Sequence, residues 1–358
     1  MSNKAFFLVF PLLLLSCGDH KDEQNTVPKK TTKPSILDPK RLACADKKLT
    51  LLKAPTFDLS GPEDIAFDSN GFLYTGFENG KIYKFDPNTQ EGTFVVSTGG
   101  RPLGIALNAA EDLIVADAHR GLLKIDHNTK EISVLSDSHN KLDFKLTDDL
   151  AIASDQKIYF TDASYKFEVS QSILEILEEG PHGRLLMYDP ETEKTTLLQD
   201  KLYFPNGVAL SPDESYILFN ESTKYRVSRY WLEGEKKGQL EIFKEHLPGF
   251  PDNINYSYHR NLYWIAFAGK RSKFLEKTKA AMDLSKAVGK IPKNISKNLL
   301  KNLIPREKGW IIAMNDQGEI VKELKIGKCY QSTTSAMDTG EYLYIGSFFE
   351  KGLGRIQF

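Results

Sequence analysis

Residues 64–98, DIAFDSNGFLYTGFENGKIYKFDPNTQEGTFVVST, hold four short apolar and β-branched runs, DIAF, FLYTG, KIYKFD and TFVVST, parted by Asp, Asn, Gly and Pro. Runs of that length between turn formers predict antiparallel strands joined by tight connections. The first run returns as GIAL at 104, DLAI at 149, GVAL at 207, NINY at 253 and, degenerately, SAMD at 335. After each comes a second strand (LIVAD, IYFTD, YILFN, LYWIA, LYIGS) and a third (GLLKID, RLLMYD, VSRYWL, WIIAMN, GRIQF). Six such units predict an all-β chain folded as a six-bladed β-propeller, which removes long exposed edges by radial closure. The sixth unit reaches Phe358 after three strands, and LTLLKAP at 49–55 can supply its fourth, so the N-terminal strand closes the last blade. The intervals between motifs, 40, 45, 58, 46 and 82 residues (64 to 104, 149, 207, 253 and 335), put insertions in the third and fifth units.

The first strand of each blade lines the central channel, so the residue before each inner motif stands at one mouth of it. Those residues are Glu63, Leu103, Asp148, Asn206 and Asp252, with Asn253 adjacent in the stretch GFPDNINY at 249–256. Carboxylates converging on one axis repel each other and resist desolvation unless a cation sits among them. An oxygen-only set of carboxylates and amides, without His or Cys, favours calcium over magnesium or zinc. Asp and Asn are also common turn residues, but four in one register of four blades favour the metal.

The 358 residues are 41% hydrophobic and 27% charged with net charge −1, which argues for a globular chain and against nucleic acid as a partner. Lys4 precedes the apolar run Ala5 to Leu15, too short to span a bilayer and suited to a signal peptide. The run ends in Leu14-Leu15-Ser16-Cys17, which resembles a bacterial lipobox; Cys17 would then be acylated and anchor the protein in the cell envelope, the alternative being an ordinary cleaved signal. Residues 1–17 are thus read as signal, 18–42 as a polar tether and 43–358 as the propeller, a monomer. Cys44 and Cys329 form a bridge between the domain's ends or remain two free thiols. The fifth-unit insertion, 270–308, carries twelve Lys or Arg and apolar residues at helical spacing around Pro292. It reads as a basic helical lid over the channel mouth that can also meet anionic lipid.

The stretches IYFTDASYKFE at 158, GRLLMYDPETEKTTLL at 183, YFPNGVALSPDESYILFNEST at 203, RYWLEGEKKGQLEIF at 229 and LPGFPDNI at 247 resemble the strictosidine-synthase-like family of six-bladed propellers. GPEDIAFDSNGFLYTG and RPLGIAL extend the likeness over nearly everything after residue 60. The wider superfamily includes the paraoxonases and the gluconolactonase group, which hydrolyse lactones and esters with a calcium ion in the channel. The resemblance implies a catalytic calcium on Glu63, Asp148, Asn206, Asp252 and Asn253, with Asp148 standing where paraoxonases usually carry asparagine. It implies a second, structural calcium on Asp64, Asp149 and the carbonyl of Ile105. The glutamate strictosidine synthase uses in its last blade is matched by Ser335, which argues against alkaloid synthesis. The paraoxonase histidine pair is replaced by Leu103 and by Ala118, beside His119.

The expected function is calcium-dependent hydrolysis of a small ester or lactone. The ion would polarise the carbonyl while Asp252 or Asp148 takes a proton from water, and His119 and His182 are further candidates on loops at the same mouth. The alternatives are a non-catalytic ligand-binding propeller with structural calcium and a structural envelope protein.

Overall fold

The computed structural model describes residues 49–53, 56, 58–271, 275–276 and 308–358. The signal, Cys17, the tether, Cys44 and most of the 270–308 insertion therefore lie outside the described residues.

The chain opens with β1 (Leu49–Lys53). Blade one follows as β2 (Ala66–Phe67), β3 (Leu73–Gly76), β4 (Lys81–Phe85) and β5 (Gly92–Ser97). Blade two is β6 (Pro102–Leu107), β7 (Leu113–Asp117), β8 (Gly121–Ile125) and β9 (Ile132–Ser136). A small hairpin, β10 (Ser138–His139) and β11 (Leu142–Asp143), leads into blade three: β12 (Thr147–Ile152), β13 (Ile158–Asp162), β14 (Gly183–Asp189) and β15 (Lys194–Leu202). Blade four is β16 (Pro205–Leu210), β17 (Tyr216–Glu221), β18 (Arg226–Trp231) and β19 (Leu240–Lys244). Blade five is β20 (Gly249–Ser257), β21 (Leu262–Lys270), β22 (Lys308–Met314) and β23 (Ile320–Gln331). Blade six is β24 (Thr333–Asp338), β25 (Tyr342–Ser347) and β26 (Gly352–Gln357), completed by β1, with Leu51 opposite Gly354. The six-bladed propeller and its closure by the N-terminal strand are as the repeat predicts.

The turns use the chemistry their sequences advertise. Asp86 accepts the Asn88 N–H at 2.7 Å, Asp126 the Asn128 N–H at 2.9 Å, and Asp189 the Glu191 N–H at 2.9 Å. Such side-chain caps fix tight connections between the third and fourth strands. Middle strands such as β7 and β17 are buried along their whole length, because each blade packs both faces against neighbours. Each adjacent pair shares an apolar cluster: Ile82 with Val115 between blades one and two, Ile114 with Phe160 between two and three, Leu185 with Phe219 between three and four. The circuit continues with Leu218 and Ile265, then Trp264 and Ile345, and closes with Leu353 and Leu73.

The third-blade insertion contains α1 (Ser172–Glu178), whose Ile173, Leu174, Ile176 and Leu177 are buried with Leu247, Phe250 and Leu275. Glu179, in the left-handed region at φ 53, ends it. The fifth-blade strands run further than the sequence suggests. Lys270 pairs with Gly249 and Lys308 with Gln331, so both residues expected to bound the insertion belong to the sheet. Cys329 is disulfide-bonded.

Candidate metal centre

The inner strands break their ladders where the sequence placed the ring. Pairing shifts register between Pro102 and Gly104, Thr147 and Leu150, Pro205 and Val208, Pro251 and Ile254, and Thr333 and Ala336. In blade one, Glu63 and Asp64 precede the two-residue strand β2. A bulge frees its residues from the ladder and re-aims their side chains. Glycine lets the next inner strand come close: a Cβ on Gly207 would lie 2.4 Å from the Asn253 Cα, and one on Gly104 2.6 Å from the Asp149 Cα.

Glu63, Asp148, Asn206, Asp252 and Asn253 are all buried at these breaks. Asn253 Nδ2 donates to Glu63 Oε1 at 3.1 Å. Thr334, at the sixth position, donates to the Glu63 carbonyl at 2.6 Å, and Asn220 of β17 donates to the Asp252 carbonyl at 2.5 Å. One oxygen each on Glu63, Asn206, Asp252 and Asn253 (Oε2, Oδ1, Oδ2 and Oδ1) is buried without a partner. All four are acceptors. A proton can quiet a carboxylate, but only a donor or a cation satisfies an amide oxygen, so this set fits a hard cation. Among the described residues no group of three or more His, Cys, Asp and Glu side chains closes into a metal cage by itself; half of the orphaned oxygens belong to asparagines.

Burial, then repulsion from Asp64, pushes Glu63 up to about 8. Burial raises Asp64 to about 6. Asp148 and Asp252 are driven well above the ordinary carboxylate range, by burial first and then by Glu63. Asp149 is likewise raised by burial and then by Asp64.

The residues expected to hold a second ion are engaged differently. Asp64 Oδ1 accepts from Ser335 Oγ at 2.7 Å and Oδ2 from the Ile105 N–H at 3.3 Å, so Ile105 meets Asp64 through its amide hydrogen. Asp149 Oδ2 accepts the Val208 N–H at 2.7 Å. These bonds stitch blade to blade.

His119 is exposed on the turn after β7, its backbone N–H on Asp117. His182 is occupied by α1: its Nδ1 lies 3.0 Å from Glu175, which also accepts from Ser164 at 2.6 Å. Leu103 and Ala118 are buried in an apolar patch with Leu146, Ala163 and Phe204. The sequence reading did not single out Thr334, Asn220 or the buried Arg101, although Arg101 lies in RPLGIAL and Asn220 in YILFN, both of which it quoted.

Comparison with known proteins supports the resemblance. The strictosidine synthase family model matches residues 148–235, and the strictosidine synthase-like N-terminal model matches 47–85. The Arabidopsis thaliana protein strictosidine synthase-like 6 is 43% identical over 213 residues, 58% of this chain and 56% of that protein. The chain thus spans little more than half the length of its plant relatives. Adipocyte plasma membrane-associated protein of Bos taurus is 31% identical over 320 residues, covering 84% of this chain and 76% of its own. Among solved structures, a gluconolactonase from Xanthomonas campestris superposes with TM-score 0.62 at 13% identity, covering 87% of this chain and 90% of its own. Regucalcin from Agrobacterium tumefaciens, described as a calcium-binding protein, superposes with TM-score 0.60 at 14% identity, covering 86% and 92%. At such identities these structures attest the fold alone.

Proposed function

Because the chain belongs to the strictosidine synthase-like family of six-bladed propellers, we propose that it is a calcium-dependent hydrolase of lactones or esters. The observation carrying this reading is the set of four orphaned buried oxygens on Glu63, Asn206, Asp252 and Asn253. Those residues and Asp148 would hold the ion. When bound, calcium supplies a positive charge that polarises a substrate carbonyl and stabilises the negative charge developing on its oxygen.

The side chains do the rest. Asp252 is the proton acceptor, since its Oδ2 is unpaired and burial makes its carboxylate, once ionised, a stronger base than an exposed one. Asp148 is the second candidate. The Asn253 to Glu63 hydrogen bond holds the oxygens in place, Thr334 fixes the backbone at Glu63, and Asn220 fixes it at Asp252. Leu103, Ala118, Leu146, Ala163 and Phe204 pack together as a buried apolar cluster, so blade two contributes no ligand oxygen from position 103. Ser335 is bonded to Asp64, so amine condensation is not part of the proposal.

A second reading, a ligand-binding propeller with structural calcium, is favoured by one observation: both positions of the missing histidine pair are apolar and buried. Turnover of aryl esters and lactones, abolished by chelator and restored by calcium, supports the hydrolase. A protein whose melting responds to calcium but which turns over nothing in the panel is the binding propeller.

The proposal includes export and lipid attachment through Cys17, with the basic 271–307 segment against anionic lipid. Cys17→Ser is expected to abolish fatty-acid labelling. Continued labelling overturns the anchor.

A further inference from the structure

We infer that Arg101 is a built-in counter-charge for the ring, supplied by blade two in place of a ligand oxygen, and that it sets the ionic charge the centre accepts. The inference rests on the calcium reading above.

Blade two alone offers an apolar side chain, Leu103, among the five ring positions read from the inner motifs. Two residues earlier, Arg101 is buried. Its N–H donates to Asp117 Oδ1 at 3.0 Å, its carbonyl accepts the Ala118 N–H at 2.9 Å, and Nη1 donates to the Gly61 carbonyl at 3.1 Å. The guanidinium therefore lies beside the segment that leads to Glu63. Gly61 makes room for it: a Cβ there would stand 3.1 Å from Nη2 and 2.9 Å from the Phe348 carbonyl oxygen, and its φ of +69 favours glycine.

A buried guanidinium is costly without anionic neighbours. Burial pulls the Arg101 pKa down, and Glu63, Glu78, Asp117 and Asp148 hold it up. Yet among the described residues Arg101 makes no direct ion pair with any of them. It acts through its field, which leaves the Glu63 and Asp148 oxygens available to an ion. Counting the ring alone, the carboxylates at Glu63, Asp148 and Asp252 outweigh a divalent cation by one charge, and Arg101 offsets that excess; Asp64 and Asp149 beside them are held by donors from neighbouring blades. The carboxylate at 148 is one of the acids that hold the Arg101 charge, so the two belong together.

The test is the preference of the full chain for terbium over calcium, read by terbium luminescence and competitive calcium titration. Both ions displace the same protons, so the affinity ratio isolates charge. Arg101→Met leaves one uncancelled negative charge and is expected to raise the ratio on the order of tenfold. Arg101→Lys should keep the parent ratio, Asp148→Asn should lower it, and the double variant Arg101→Met with Asp148→Asn should return toward the parent. Arg101→Gln repeats the neutralisation while keeping a donor for Gly61, so misfolding of the methionine variant does not decide the matter. An unchanged ratio in a neutral variant that still binds both ions overturns the counter-charge alone. A parent that binds neither ion overturns the calcium reading as well.

Discussion

The buried polar residues at the inner strand breaks meet two fates. Glu63, Asn206 and Asp252 come first in their breaks and, with Asn253, each keep a buried oxygen that nothing satisfies. Asp64, Asp149 and Ser335 come second. Asp64 takes the Ile105 N–H of blade two, Asp149 takes the Val208 N–H of blade four, and Ser335 of blade six donates to Asp64 of blade one. One layer is left unfinished by the protein and the other is finished by it. Buried polar atoms are nearly always paired, so a run of orphans at equivalent places marks a ligand, whereas a run of satisfied carboxylates marks cement between blades. The same contrast bears on the second ion expected from the resemblance, since the carboxylates proposed for it are already engaged by backbone donors.

The largest effects should separate the two layers by sign. Asp149→Ala strands the Val208 N–H in the core and is expected to cost about 2–4 kcal/mol, equally in calcium and in chelator. Asp252→Asn replaces an acid whose ionisation burial and Glu63 oppose, so metal-free stability should hold or rise. The calcium increment, about 3 kcal/mol in the parent at a hundredfold excess over Kd, should collapse. Thermal or denaturant melts of both variants with and without calcium check this. If Asp149→Ala loses the calcium response and Asp252→Asn keeps it, the assignment of the layers is inverted.

A smaller effect follows from Glu63. In metal-free protein its folded pKa is about 8 against 4.5 for the unfolded chain, through burial first and Asp64 second. The folded state therefore keeps a proton that the unfolded chain releases, and stability should fall as pH rises from about 4.5 to about 8. Asp64, raised to about 6 from 3.8, adds the same sign over the lower part of that window. Melting midpoints in chelator should drop across it, with Asp148, Asp149 and Asp252 adding the same sign, while saturating calcium removes the slope. A midpoint that climbs with pH in chelator would mean the ring carboxylates are hydrated.

The blades were legible because their signals are local. A turn such as Asp86-Pro87-Asn88 is set by its own side chain, and the six inner motifs could be aligned without knowing what they pair with. Ring membership followed, because equivalent positions in a closed repeat share one axis. The division between layers did not follow. It depends on bulges, which are properties of strand pairing, and on donors such as Ile105 and Val208 that arrive from the next blade. Asn220 reaches the Asp252 carbonyl from the second strand of the preceding blade, and Arg101 reaches Glu63 only by its field. His182 could be placed on a loop at the mouth, yet its pairing with Glu175 depends on α1, which no motif announced.

The smallest effect is expected at His119, and its smallness is informative. A proton acceptor for water must stand beside the polarised carbonyl, and in the proposed hydrolase that acceptor is Asp252 or Asp148. His119 is exposed and fixed on its turn by its backbone. His119→Ala should therefore shift stability by no more than about 0.5 kcal/mol and leave turnover near the parent value. The measurement is kcat and KM on whichever ester or lactone the parent hydrolyses, beside the melting midpoint. A folded variant that loses kcat with KM unchanged would place the proton acceptor on the rim, and the orphaned oxygens would then hold an ion without also supplying the base.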